Sequence, residues 1–168
     1  NKNIFRAYDT RGIAYEELSQ EAVTLIGKSL GTKSLESGND SLVVGRDGRN
    51  SSPDLFEWIA AGIKSTGCNV INIGMVSTPI LYFATHSLSC PNGVMITGSH
   101  NPIEYNGLKI VMDGLPMAED ELLSLWYRIQ REEFSTGYAG ARNDDIYSDY
   151  IERIEDDIQI NRDLTIVL

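Results

Sequence analysis

Apolar residues fall along the chain in blocks that alternate between helical and strand-like spacing. From Ser19 to Leu35, the positions Ala22, Val23, Leu25, Ile26 and Leu30 share one helical face behind Ser19, a candidate N-cap. Ser37-Gly38-Asn39-Asp40 breaks that pattern. Leu42-Val43-Val44-Gly45 then forms a short, continuously apolar run, the signature of a strand covered on both faces. The next helix is announced by Ser52 as a cap and Pro53 in the first turn. Its face is Leu55, Phe56, Ile59, Ala60 and Ile63, and Gly67 lies beyond its end. Val70-Ile71-Asn72-Ile73 is the following strand, closed by Gly74, and Ser77-Thr78-Pro79 opens a third helix running to about Leu88.

This alternation of helix and strand predicts an α/β layered sheet. Gly93 to Thr97 and Leu108 to Met112 read as two further strands. Their connection is too short for a helical crossover, so they are expected to be antiparallel neighbours in a mixed sheet. A helix is expected from Ala118 to Gln130, and Ser135 to Asn143, rich in Gly and Ala, reads as a linker or turn. Asp145 to Ile158 fits an acidic amphipathic helix with Ile146, Tyr150, Ile151, Ile154 and Ile158. Leu164-Thr165-Ile166-Val167-Leu168 has a buried-strand pattern. A strand of that kind needs neighbours on both sides, which leads us to expect a second domain beginning near Leu164.

Length and charge narrow the picture. The chain has 168 residues, enough for one domain with a true core and a fragment of a second. No apolar run approaches the roughly 18 residues of a membrane span, and the N-terminal stretch has no apolar core of signal-peptide type, so the expected location is cytoplasmic. The formal charge is −10, a balance that repels nucleic-acid backbones and anionic membranes. A phosphorylated small molecule is repelled too, unless a local cluster of Arg and Lys overcomes the field. Cys68 and Cys90 make neither a disulfide framework nor a zinc site and are expected to be reduced and structural.

Three polar segments carry candidate chemistry. In "MITGSHNPIEYNGLKI", residues 95–110, Ser99 sits just past the end of a predicted strand, where ligands gather in α/β sheets. Gly98 lets the backbone bend and bulky groups approach. A serine hydroxyl is a poor nucleophile, so it needs a base or must act as a group carrier; His100 and Lys109 are the titratable neighbours. Ser99 and Asn101 also suit plain turns ahead of a proline, and the residues alone leave both readings open. In "FRAYDTRGI", residues 5–13, Arg11 can present its guanidinium fork to a phosphate or pair with Asp9. In "VGRDGRNSSPDL", residues 44–55, strand, turn and helix N-terminus form an anion-receiving shape without the ending of a nucleotide P-loop. Arg46, Asp47 and Arg49 there either brace the turn or touch a ligand. His86 reads as a locally satisfied helical residue, and the acidic residues of the last helix as a solvated face.

Together the segments resemble the α-D-phosphohexomutase family, and most closely its bacterial phosphomannomutase/phosphoglucomutase branch. "TGSHNP" at 97–102 looks like that family's phosphoserine loop, "FRAYDTRG" at 5–12 its N-terminal motif and "GRDGRNSS" at 45–52 its next one. "GMVSTPILYFA" at 74–84 and "NGLKI" at 106–110 also match in order and spacing. One departure is Thr10, where Ile is usual.

The resemblance implies a three-layer α/β/α fold with a mixed, mainly parallel sheet. It implies domain 1 over residues 1–142, an interdomain helix and linker over 143–163, and the first strand of a second domain at 164–168. It implies a phosphohexomutase that interconverts hexose 1-phosphate and 6-phosphate through a bisphosphorylated sugar. Ser99 would carry the phosphoryl group, and its phosphate oxygen would be one ligand of Mg²⁺, the others lying in domain 2. Tyr8, Arg11, Asn101 and Lys109 would lie near the phosphoserine, with His100 and Lys109 as proton handlers. The implied partners are a phosphorylated hexose and domains 2 to 4 of the same polypeptide. A phosphoglucosamine mutase and a non-catalytic binding module of the same fold are the alternative readings.

Overall fold

The structure, a computed structural model, describes residues 2–160 and 162–167; what was expected of Asn1, Asn161 and Leu168 lies outside them. In chain order the elements are β1 (Thr10–Ile13), α1 (Gln20–Glu36), β2 (Ser41–Arg46), α2 (Ser52–Lys64), β3 (Asn69–Met75) and α3 (Thr78–Ser87). They continue with β4 (Gly93–Ile96), β5 (Tyr105–Met112), β6 (Leu115–Pro116), α4 (Glu119–Arg131), β7 (Ala141–Asn143) and α5 (Tyr147–Asp157).

Among the described residues the strands form one seven-stranded sheet in the order β1-β5-β4-β2-β3-β7, with β6 paired to β5. β2 runs parallel to β3 and β4, and β3 parallel to β7. β5 is antiparallel to β4 and β1. The expected α/β/α arrangement with a mixed, mainly parallel sheet is therefore present, and the β4–β5 pair is antiparallel as its short connection requires.

Two apolar layers sandwich the sheet. On one face, Leu30, Ile59, Ile63, Leu122 and Leu125 of α1, α2 and α4 pack on Val44, Val94 and Leu108. On the other, Ile80, Leu81 and Ala84 of α3 pack on Val43, Ile71 and Met95. Strands buried on both faces explain the unbroken apolar runs that mark them in the sequence. Cys68 and Cys90 are free and buried. Burial pushes the Cys68 thiol up to about 11 and raises that of Cys90 as well, so both stay protonated at neutral pH.

The helices fall where the periodicity places them, and the Ser19 hydroxyl accepts from the Ala22 N–H as an N-cap should. Four features differ from the expectation. β1 was not apparent as a strand, because Thr-Arg-Gly-Ile is short and places an Arg and a Gly in the pleat. β7 replaces the end of the linker expected up to Asn143. It is an exposed edge strand held by backbone bonds and by the Asn72 to Asn143 side-chain bond of 2.9 Å, so it needs no apolar pattern. The N-cap of α2 is Ser51 rather than Ser52. The fourth, the strand expected at Leu164, awaits the second domain to which it is assigned: here Leu164 to Val167 join no strand, and Leu164, Ile166 and Val167 are exposed. No helix among the described residues is long and apolar enough to cross a membrane.

The stretch after β7 is not detached from the sheet. Ile146 is buried in the α3-side layer, and Tyr150 of α5 meets Phe83 edge-on with ring centroids 5.5 Å apart.

Thr10, in β1, is fully buried, and its hydroxyl has no hydrogen-bond partner among the described residues. An unpaired buried hydroxyl costs roughly 1–3 kcal/mol. Thr10→Val keeps the shape and removes the polar group, so it should stabilise the chain by about 1 kcal/mol, read as a rise in the thermal unfolding midpoint of about 2–4 °C. An unchanged or lower midpoint would show that the hydroxyl is satisfied.

Candidate active site

The parallel pairing of β2 with β4 brings two loops together. Arg46 is level with Ile96 at the C-terminal ends of these strands, and the Asp47 N–H donates to the Ile96 carbonyl at 2.9 Å. The turn leading into α2 therefore lies against the loop from Thr97 to Glu104. Ser99 is exposed in that loop, at the sheet's C-terminal edge.

Arg49 organises the loop. Its Nη1 donates to the carbonyls of Pro102 (2.7 Å) and Tyr105 (3.0 Å), and its Nη2 to those of Ser99 (3.0 Å) and Asn101 (2.7 Å). The guanidinium lies on Gly98, where a Cβ would stand 2.3 Å from Arg49 Nε. Any side chain there would have to displace it. To the two readings left open for Arg49, bracing its turn or touching a ligand, the geometry adds a third: it braces the serine loop.

Asp47 holds both partners. Its carboxylate faces Arg49 Nε at 3.4 Å and accepts from the Arg49 N–H at 3.0 Å, the Gly98 N–H at 3.2 Å and the Ser52 hydroxyl at 2.6 Å. Ser52 also accepts from the buried Asn106 amide at 3.0 Å, as does Ser51 at 2.8 Å. Burial opposes the charge on Asp47, but hydrogen bonds from Ser52, Arg49, Thr97 and Gly98 outweigh it and hold the carboxyl below its ordinary value. A carboxyl lowered in the folded state lends stability above its unfolded pKa and loses it only as the pH falls through the lowered value. The loop is therefore anchored throughout the neutral range.

Ser99 has φ of 51°, a left-handed conformation unusual for a residue with a Cβ. That costs roughly 1–2 kcal/mol. Charge-assisted hydrogen bonds contribute about 1.5–3 kcal/mol each, so the bond from Arg49 to the Ser99 carbonyl suffices to hold it there. The Ser99 N–H donates to the Thr97 hydroxyl at 2.9 Å, and Ser99 Oγ lies 3.3 Å from His100 Nδ1.

The cations stand on the neighbouring strands. Arg11 of β1 is opposite Gly107 of β5, and Lys109 lies two residues further along that strand, so both project from the same face. β1 and β5 run very close here: a Cβ on Gly107 would meet the Thr10 carbonyl at 2.3 Å. Arg11 donates from Nη1 to Asn101 Oδ1 (3.3 Å) and from Nη2 to Asp9 (2.9 Å), and Lys109 Nζ is 4.0 Å from the same Asp9 oxygen. Asn101 ties the two groups together, since its amide also donates to the Gly98 carbonyl at 2.8 Å. Asn101, Arg11, Asp9 and Lys109 thus form one chain of polar contacts, which Asn101 joins to the loop that carries Ser99 and His100. Tyr8 lies at its margin, on the bend before β1, with its side chain largely in solvent.

An open cleft of about 420 Å³ adjoins the serine, lined by Asp47, Gly48, Arg49, Asn50, Ser99, Asn101 and Ile103. Among the described residues no group of three His, Cys, Asp or Glu side chains could hold a metal ion. Asp9 and Asp47 already face Arg11 and Arg49. The sequence reading missed the reach of Asp47 and Arg49 and the bridging position of Asp9. The first two were legible only through the adjacency of β2 and β4; the third showed as an alternating Arg-Ala-Tyr-Asp-Thr-Arg pattern that fitted a surface pair equally well.

Comparison with known proteins places this geometry. Residues 2–136 match the family described as phosphoglucomutase/phosphomannomutase, alpha/beta/alpha domain I. A phosphomannomutase/phosphoglucomutase of Pseudomonas aeruginosa is 40% identical over 166 residues, covering 99% of this chain and 36% of that protein. A phosphoglucomutase of Neisseria meningitidis serogroup B is 41% identical over 169 residues, covering 99% of this chain and 37% of that protein. The crystal structure of a phosphoglucomutase/phosphomannomutase family protein from Burkholderia thailandensis superposes with a TM-score of 0.92 at 37% identity, over 96% of this chain and 37% of that one. The chain spans little more than a third of the length of these relatives. On its match to domain I and the agreement of its whole fold, it belongs to the phosphoglucomutase/phosphomannomutase family.

Proposed function

We propose that this chain is the phosphoryl-carrying portion of a phosphohexomutase that interconverts hexose 1-phosphates and 6-phosphates. The observation that carries the reading is the exposed Ser99 hydroxyl, held at the sheet's C-terminal edge on a braced loop, with Arg11 tied to that loop through Asn101. In an acidic chain this cluster gathers positive charge at the base of the loop, where a phosphoserine of −1.5 to −2 charges needs it.

In the proposed cycle the P–O bond to phospho-Ser99 breaks as the free hydroxyl of a sugar monophosphate attacks phosphorus. The sugar hydroxyl gives its proton to His100, or to Lys109 in its neutral form, and that proton passes on to the Ser99 Oγ left by the phosphoryl group. The bisphosphorylated sugar turns over in the site, and Ser99 Oγ, giving its proton to the same base, attacks the other phosphorus; the P–O bond to the sugar breaks, the sugar oxygen takes up the proton, and the isomer is released. Phosphoryl transfer asks a protein mainly for positioning and charge stabilisation. Arg11, Lys109 and Asn101 supply these around the transferring group, with Tyr8 at the margin of the substrate.

A Mg²⁺ ion fits this reading in a limited way. The described residues offer it one open donor position, at Ser99, and no carboxylate set. Its remaining ligands belong to a second domain. When bound, such an ion neutralises charge on the transferring phosphoryl group. We assign residues 1–142 to the phosphoserine domain, 143–163 to an interdomain helix and linker, and 164–168 to the first strand of that second domain. A phosphorylated hexose and the further domains of the polypeptide are the partners, and the cytoplasm is the location.

Two outcomes are expected. In the full-length protein, intact-mass analysis should find one phosphate on the peptide containing Ser99. Ser99→Ala should remove that phosphate and lower mutase turnover by at least about three orders of magnitude, since enzymic accelerations start near 10⁶-fold. An unphosphorylated, fully active Ser99→Ala protein would refute the reading. Residues 1–168 alone should show no appreciable mutase turnover with glucose 1-phosphate or mannose 1-phosphate. Robust turnover by that fragment would place the remaining machinery within this chain.

A further inference from the structure

We infer that Arg49, seated by Asp47, is a positioning residue for the reaction: it sets the conformation of Ser99 without touching the substrate. The inference rests on the reading of Ser99 as phosphoryl carrier. Its basis is a count of donors. A guanidinium has five N–H donors and no acceptor. Two on Nη1 go to Pro102 and Tyr105, two on Nη2 go to Ser99 and Asn101, and the one on Nε faces Asp47. No donor is left over for a phosphate. Arg49 lines the cleft beside Ser99, yet its hydrogen-bonding capacity is spent on the protein.

The four carbonyls it binds span the loop from Ser99 to the first residue of β5. A planar fork holds all four at once, whereas a lysine ammonium is a point with three donors and cannot span them. One of the four belongs to Ser99 itself, the residue in the left-handed region. Releasing that bond frees the serine to rotate toward ordinary backbone angles, which moves its Oγ from its place beside His100. A displacement of about 1 Å at a reacting atom can cost about 10²-fold in rate. Arg11 and Lys109 stand on β1 and β5 and keep their shared anchor, Asp9, when Arg49 changes. The loss therefore falls on the chemical step and not on substrate binding.

Kinetics of the full-length protein with glucose 1-phosphate test this. Arg49→Lys should lower kcat about 100-fold while KM stays within about threefold. The ³¹P resonance of phospho-Ser99 should be a single narrow line in the wild type and should broaden or split in Arg49→Lys. A purely structural role would instead reduce the folded fraction and leave kcat per folded molecule and the resonance unchanged. Direct substrate contact would raise KM. Either result overturns the inference. Arg49→Ala should regain at least about tenfold in kcat with added guanidinium ion and nothing with methylammonium; equal rescue by both ions also overturns it. Should Arg49→Lys not fold, Asp47→Asn, which keeps the guanidinium and removes its seat, carries the same expectation, and a wild-type kcat in that variant counts against the inference. A wild type without phosphate on Ser99 would sink the reading of Ser99 and this inference with it. A phosphorylated, active wild type with an undiminished Arg49→Lys would sink this inference alone.

Discussion

The bonds from Arg49 to four backbone carbonyls are the constraint on which the site depends. A loop that leaves a buried strand and turns back into an antiparallel neighbour has no ladder to satisfy its carbonyls. Water can serve them, but water fixes nothing. A single guanidinium serves four and fixes their relative positions. It can do so only because β2 and β4 are parallel neighbours, which sets the loop after one strand against the loop after the other. Sheet order is thus the direct cause of the site's shape. Gly98 and Asp47 are its conditions: one leaves room for the guanidinium plane, the other neutralises and orients it.

The second constraint is charge. A chain of formal charge −10 must gather cations wherever it is to hold a phosphate. Arg11 and Lys109 stand on adjacent strands and on one face, where mutual repulsion would splay them. Asp9, largely shielded from solvent, lies 2.9 Å from the first and 4.0 Å from the second and offsets that repulsion. The arrangement keeps both cations in place before any phosphate arrives. A phosphoryl group on Ser99 would meet a cluster whose geometry is already set, so little reorganisation energy is spent at the moment of transfer.

What could be read from the residues follows the same physics. Helices α1 to α4 and strands β2 to β4 were legible because each buries apolar surface with its own period, and because Ser19, Pro53 and Gly67 punctuate them. Strands β1 and β7 were not, because they are held by backbone bonds at the sheet's two edges: β1 buries a Thr and a Gly rather than an apolar pattern, and β7 is exposed throughout. Ser52 looked like a cap because only its position relative to Pro53 was visible; its partners Asp47 and Asn106 are brought to it by the fold. At the site, Ser99, Arg11, Asn101 and Lys109 were legible from residue type and motif. Asp47 and Arg49 were visible as a turn, and their service to another loop was not, since contact across fifty residues leaves no local pattern.

A braced loop has a consequence for how the proposed reaction must run. A carrier that gives a phosphoryl group to one end of a sugar and takes one from the other faces two geometries. Either the carrier moves between them or the sugar does. Ser99 is fixed through its own carbonyl, through its N–H to Thr97 and through Asn101 to Arg11. A side-chain rotation remains free to it, but a backbone swing would forfeit the charge-assisted Arg49 bond, about 1.5–3 kcal/mol, and the neutral bond to Thr97. The space beside Ser99, by contrast, is an open cleft, in which a ligand is free to turn. The cheaper motion is that of the ligand. Under the proposed function, then, the rigidity of this loop is what obliges the bisphosphorylated sugar to turn over between the two transfers.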